Sequence, residues 1–396
     1  MRTSKYFSGN IILVYAVIIV LSFLCQIFEF IAPVNIMYII SLLLVLCSYL
    51  ISGGFNVITY TIIFLVGLAS LKDGLLSDMD YYTHVLITLC IFICIEVGPN
   101  IRINHKTFKI IANMFLVTAL ILLAAYYFGP LKSTHFGLQN AICLNMVNPN
   151  AAGLWVACIF IVLLYSSFLF KKLKRMLFLS VSVGLLPIIL ATQSRNSYFA
   201  CILFVTGLIF TKIFKIKKVP NWILAILAAL PLIVFWFYMF VIVENMGFWQ
   251  NLFSLESINK DLGTRVDIWQ KVINNFDNCF WLGDYHKYYN SQQHNSLLTI
   301  FCRFGGAVTV LACVSIYRSL KNLQDNSSFY AALSLSAVYF TGCFEASVFV
   351  GIAGMYLMLL LIPACASAEK VEEKSKNNEK LQVPKIEKGV YEKNKT

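Results

Sequence analysis

Ile11-Ile12-Leu13-Val14-Tyr15-Ala16-Val17-Ile18-Ile19-Val20-Leu21-Ser22-Phe23-Leu24 runs without a charge from end to end, and its reading decides the fold. A helix needs about 20 mostly apolar residues to cross the hydrocarbon of a bilayer. Windows of that kind recur at 11–32, 36–52, 55–71, 82–98, 108–128, 151–170, 176–192, 197–214, 221–243, 297–317, 329–344 and 348–366. The whole chain is 59% hydrophobic and 13% charged, against roughly 45–50% and 25% in soluble domains. Lipid cannot satisfy an open sheet edge, so the spans must be helical. The expectation is an all-α polytopic membrane protein with about twelve transmembrane helices. Its membrane domain covers 1–366, with a disordered cytoplasmic tail at 367–396.

Orientation follows from the loop lysines and arginines, which favour the cytoplasmic side. With Arg2 and Lys5 inside, alternation puts Arg102, Lys106 and Lys109 inside as well. The same side receives Lys171, Lys172, Lys174 and Arg175, then Lys212, Lys215, Lys217 and Lys218, then Arg318 and Lys321. Both termini are then cytoplasmic, and the tail alternates Lys, Glu and Asn without an apolar face, as a solvated segment does. The net charge of +12 reads as positive-inside anchoring in a lipid bilayer and calls for no nucleic acid partner. Most of the twelve cysteines fall inside spans, where they serve as small apolar fillers. Cys143 and Cys279 are the pair placed in outer loops, either bridged or as two thiols.

One connection is long. Residues 244–295 form an extracytoplasmic loop, and loops beyond about 12–15 residues are usually functional or disordered. This one carries Trp249, Trp269, Trp281, Tyr285, Tyr288 and Tyr289, with an amphipathic helix predicted around Val266–Phe276. Ile268, Trp269, Val272, Ile273 and Phe276 would share one side of it. The aromatics suit an interface belt, and Trp269 also suits stacking against the C–H face of a sugar ring. A second outer loop ends in Asn145-Met146-Val147-Asn148-Pro149-Asn150. Capping by Asn148 or Asn150 accounts for one of these amides, while the cluster also offers donors beside a helix N-terminus that favours anions.

Three further positions stand out on the outer side. Arg195 lies in Gln193-Ser194-Arg195-Asn196, Arg265 in Gly263-Thr264-Arg265-Val266-Asp267, and His294 precedes Asn295 where the chain re-enters the membrane. A guanidinium offers a fixed fork of donors matched to phosphate oxygens. Each arginine also has a simpler reading, an interfacial anchor for Arg195 and a salt bridge to Asp261 or Asp267 for Arg265. Histidine near its ordinary pKa is mostly neutral above pH 7, as a general base must be. Glu345, in Cys343-Phe344-Glu345-Ala346, reads either as an acid that orients His294 or pairs with an arginine, or as a plain helix-end carboxylate. Arg303 falls roughly 13 Å below His294 by helical rise and is expensive there unless it faces protein or water. No Asp-x-Asp metal site with supporting ligands is placed outside; Asp78-Met79-Asp80 is the nearest.

In order, Asn148-Pro149-Asn150-Ala151-Ala152-Gly153, Ser194-Arg195, Arg265-x-x-x-Trp269, His294-Asn295-Ser296-Leu297-Leu298 and Gly305-Gly306 resemble the O-antigen ligase and polymerase superfamily of bacterial membrane glycosyltransferases. The resemblance runs from Asn148 to Gly306 by motif and elsewhere by helix count. It implies a C-type glycosyltransferase-like architecture and metal-independent, inverting chemistry without a cofactor, at an active site on the outer face of the bacterial cytoplasmic (inner) membrane. The donor and acceptor it implies are undecaprenyl-pyrophosphate-linked oligosaccharides, with flippase and chain-length regulator proteins as partners. His294 would deprotonate the acceptor hydroxyl, and Arg195 and Arg265 would hold the pyrophosphate. Asn148, Asn150, Asn295, Glu345 and Trp269 would line the substrate. Within that family, polymerisation of repeat units into O-antigen or capsular polysaccharide is favoured over ligation to a lipid or protein acceptor. A lipid-linked oligosaccharide transporter is the alternative of another class. Transporters usually carry internal repeats and broken helices with polar groups at the midplane, and no repeat relates the two halves here.

Overall fold

The computed structural model describes residues 9–28, 56–72, 85, 88–89, 91–96, 99, 103, 105–129, 141–144, 149–243, 256–288, 293–327 and 329–345. The spans expected at 36–52 and 348–366, part of that at 82–98, the tail and Asn148 lie outside them. Every element among the described residues is helical. In chain order these are α1 (Gly9–Ile27), α2 (Val57–Lys72), α3 (His105–Phe128), α4 (Pro149–Ser167), α5 (Lys172–Ala191), α6 (Arg195–Ile213) and α7 (Asn221–Phe237). There follow α8 (Glu256–Asn274), α9 (Phe276–Phe280), α10 (Tyr285–Tyr288), α11 (Ser296–Asn322) and α12 (Phe329–Phe340). π-helical turns extend α7 through Val243 and α11 through Ser327, and a 3-10 turn, Thr341–Cys343, ends α12.

Six helices are long and apolar enough to cross a membrane: Lys106–Phe128, Pro149–Ser167, Lys172–Ala191, Arg195–Ile213, Asn221–Val241 and Ser296–Asp325. Ile12–Cys25, Val57–Lys72 and Phe329–Cys343 are shorter and apolar. These nine fall on nine of the sequence windows. Their burial sorts them into layers. In α4, 83% of the span is buried, against 28% in α7, so α4 runs through the centre and α7 at the periphery. A helix apolar all round belongs in that central place. The outward faces are apolar too, as at Val117, Val183, Phe210, Trp222 and Ile233.

The expected outer loop contains a folded cap. α8 is amphipathic, and Trp269 and Val272 are buried while Ile268, Ile273 and Phe276 pack beside them. They close over Phe235 and Met239 at the end of α7 and over Leu298, Phe301 and Cys302 at the start of α11. Cys279 is buried in the same cluster and is a free thiol, as Cys143 is, so the bridge between them does not form.

α11 is broken. Its 27 residues turn at Gly305, where φ is 89° and ψ 175°. The break lets the backbone of 281–284 lie against the helix: the Asp284 N–H donates to the Cys302 carbonyl at 2.7 Å. A Cβ on Gly305 would collide with the Trp281 carbonyl, and one on Gly283 (φ 73°) with the carbonyl of Arg303. Both glycines are therefore required by close approach as well as by positive φ. Gly305→Ala is expected to destabilise the protein by about 2–4 kcal/mol in thermal unfolding of the detergent-solubilised chain. Gly67→Ala, inside α2 with nothing within 4 Å of the added carbon, should instead stabilise by about 0.4–1 kcal/mol.

Candidate functional site

Three helices begin at one place. α4 opens with Pro149, which suits a first helical position because its missing N–H is not needed there. α6 opens after Ser194, whose Oγ accepts from the Ser197 N–H at 3.4 Å. α11 opens after Asn295, whose Oδ1 accepts from the Leu298 N–H at 3.0 Å. The three starts converge on the segment just beyond the 3-10 turn that ends α12. Asn150 Nδ2 donates to Glu345 Oε1 at 2.8 Å, Asn196 Nδ2 donates to the same oxygen at 3.2 Å, and Ser296 Oγ donates to the Glu345 carbonyl at 2.6 Å. α4 and α6 approach this closely because of Gly153. A Cβ there would stand 2.6 Å from Ser194 Cβ and from Thr192 Oγ1.

Glu345 is 6% exposed. Burial pushes its carboxyl up to about 7, against the opposing pull of Arg265 and of the two asparagine amides. Arg265, near the middle of α8, is half-buried, and its charge acts on Glu345, His294 and Tyr238. Asp267, the alternative partner read from sequence, is exposed. His294 is half-buried and holds φ 49°. The left-handed region is sparse for non-glycine residues, and such strain of about 1–3 kcal/mol gathers at functional sites. Burial first, and Arg265 second, lower its pKa. The ring is thus neutral near pH 7, and its buried Nδ1 has no hydrogen-bond partner. An acid pushed up and a base pushed down in one site separate proton-holding from proton-accepting roles.

Arg195 is the first residue of α6, exposed, and adjoins Asn196. Asn150 lies inside α4 and is not its cap; its amide reaches the carboxylate. Two of the sequence assignments take different roles here. Trp269 is 1% exposed, its ring meets Phe235 and Tyr238 edge to face at 5.4 and 5.5 Å, and Nε1 donates to the Gln293 carbonyl at 2.6 Å. No face remains for a sugar; the indole holds the residue before His294. Asn295 is fully buried, and Nδ2 donates to the carbonyls of Pro231 at 2.7 Å and Cys343 at 3.2 Å. Its amide is consumed in tying α7, α11 and the end of α12 together beneath His294. Asn196 and Ser296 were not singled out from sequence, although both stand in the quoted motifs beside residues that were.

In chemical terms the arrangement can attract an anion. Unsatisfied N–H groups and the dipole at a helix N-terminus favour negative charge, and here three such ends meet with the arginine of α8 beside them. Among the described residues, no three His, Cys, Asp or Glu side chains gather as a metal set. No family model, curated protein or solved structure matches the chain.

Two outcomes follow. Trp269→Phe loses the bond to Gln293 and leaves a cavity among the packed rings, and should lower stability by about 2–3 kcal/mol, whereas Trp281→Phe, at a ring 77% exposed, should not. For Glu345, the folded protein holds the proton more tightly than the unfolded chain. The stabilisation is complete below pH 4.5, and it is lost as pH rises through about 7. It amounts to about 3 kcal/mol by linkage. Thermal unfolding of Glu345→Gln should show a flatter dependence over that window than the native protein.

Proposed function

We propose that this chain is an integral-membrane, inverting glycosyltransferase that polymerises undecaprenyl-pyrophosphate-linked oligosaccharide repeat units on the outer face of a bacterial cytoplasmic membrane. The observation that carries the reading is the meeting of three helix N-termini and Arg265 with His294, which is held strained and neutral. The motif resemblance adds the substrate class to that anion-binding geometry.

In this reading the carrier pyrophosphate lies against the starts of α4, α6 and α11, where Arg195 and Arg265 match its charge. Burial raises the Glu345 pKa to about 7, so near neutrality the carboxyl is protonated much of the time and repels the incoming anion less than an ordinary carboxylate would. The acceptor hydroxyl oxygen attacks the anomeric carbon from the face opposite the leaving group. His294 takes the hydroxyl proton as the C–O bond to pyrophosphate breaks. The configuration inverts because one displacement occurs. Negative charge accumulates on the departing pyrophosphate, and preorganised donors already in place there lower the barrier without reorganising. Both metal and covalent enzyme intermediate are unnecessary once that charge is met. A sugar hydroxyl of another carrier-linked repeat is the acceptor of a polymerase, and a lipid or protein acceptor would make the same site a ligase.

One observation favours a different class. α11 is broken at Gly305, two residues from Arg303, which is 4% exposed. Interrupted helices with buried ionisable residues are a mark of transporters, so movement of a lipid-linked oligosaccharide is the second reading.

Purified protein in liposomes, given carrier-pyrophosphate-linked repeats in EDTA, separates these. The native chain should lengthen the glycan, and folded His294→Ala should lose elongation by roughly 10²–10⁴-fold, the usual worth of a general base. Elongation untouched by His294→Ala would remove the base from the mechanism. Carrier-linked repeats crossing the bilayer without elongation would make the protein a transporter.

A further inference from the structure

At the end of α11 opposite His294, a cavity of about 70 Å³ opens between the last turns of that helix, the first turn of α2 and the segment ending at Glu96. Six of the seven residues that line it are polar, Asn56, Glu96, Ser315, Arg318, Ser319 and Asn322, and the seventh is Ile58. Polar groups this close to the interior of an apolar bundle need partners. Several buried helical serines turn back onto their own helix: Ser22 Oγ donates to the Ile18 carbonyl, Ser182 Oγ to Phe178, and Ser334 Oγ to Tyr330, at 2.7–2.8 Å, while Ser166, away from this cavity, does not. Ser319 does not. It is 3% exposed, it lines the cavity, and its Oγ has no hydrogen-bond partner.

The wall facing it is a helix start. The Asn56 side chain accepts from the Ile58 N–H at 3.4 Å, and the Asn56 carbonyl accepts from the Tyr60 N–H at 3.2 Å. The positive end of the α2 dipole is therefore turned into the cavity beside the Arg318 guanidinium, a combination that selects an anionic oxygen. Glu96 on the same lining limits the charge that is welcome. A singly charged phosphate diester fits that balance better than a dianion.

The surface beside the opening says where the diester comes from. Val57, Tyr60 and Phe64 are 76%, 55% and 63% exposed, and at spacings of three and four they form one stripe down α2 from the cavity mouth. Thr59, Ile62 and Val66 on the other face are buried. A polar, cation-bearing pocket at the head of an apolar stripe matches an amphiphile with its headgroup in the pocket and its chains on the helix.

We propose that this cavity is a binding site for the phosphodiester headgroup of a membrane phospholipid, with acyl chains lying along Val57, Tyr60 and Phe64. Arg318 and Ser319 contact the phosphate oxygens, and the start of α2 supplies its dipole. The site is separate from the one around Glu345 and stands or falls without it.

Native mass spectrometry of the full-length protein tests this, with phosphatidylglycerol, diacylglycerol and inorganic phosphate as probes. The native chain should retain one phosphatidylglycerol and no diacylglycerol. Arg318→Gln, at an exposed position, should fold normally and weaken retention roughly tenfold, as loss of a charge-assisted bond does. Ser319→Leu should fill the cavity and abolish retention. Equal retention of phosphatidylglycerol by the native chain and Arg318→Gln would overturn the proposal. So would equal retention of diacylglycerol, or inorganic phosphate displacing the lipid at equal concentration, which would make the site one for free phosphate.

Discussion

A carboxylate buried among apolar helices must be satisfied or neutralised, and the middle of this molecule is arranged around that requirement. Glu345 recruits Asn150 from α4 and Asn196 from α6, residues 195 and 149 positions away in sequence. Its own backbone carbonyl takes the hydroxyl at the start of α11. Leaving such a group unpaired in a low-dielectric interior costs several kcal/mol. The requirement brings three helix starts to one point, and each start brings its dipole. The anion-attracting character of the site follows from the way the acid is held.

A second set of contacts holds the backbone on both sides of His294. Asn295 beneath it reaches α7 and the end of α12, and Trp269 above it grips the Gln293 carbonyl. The histidine between these two anchors is left in the left-handed region with a bare ring nitrogen. The folded cap of α8 to α10 supplies both Trp269 and Arg265, so what reads as a loop is the part of the protein that positions His294 and helps to lower its pKa. The break at Gly305 serves the same cap, because the backbone near Trp281 is seated against the opened turn of α11.

The helices were legible because the apolar windows are uninterrupted. Those at 108–128, 151–170 and 221–243 match α3, α4 and α7 with its π turn to within a few residues. His294, Glu345 and Asn150 stood out because a polar residue at the end of an apolar run is conspicuous, and Arg265 because it is a basic residue in a long outer loop. What sequence could not convey was the direction of side chains whose partners are distant. Asn295 looked available to substrate, yet its amide is spent 64 and 48 residues away. Trp269 looked like a sugar platform, yet its indole packs inward, because amphipathic spacing fixes a face without saying what covers it. Gly305 was noted only as part of a motif, since a kink depends on the segment that crosses it.

Binding of the carrier itself tests the central claim, that three helix starts and an arginine form a pyrophosphate site. The measurement is the affinity of the detergent-solubilised chain for undecaprenyl pyrophosphate and for undecaprenyl monophosphate, native and with Arg265→Gln. The account predicts that the pyrophosphate binds more tightly, by roughly tenfold, and that Arg265→Gln erases most of the difference. Equal affinity for the two carriers, unchanged by Arg265→Gln, would contradict it.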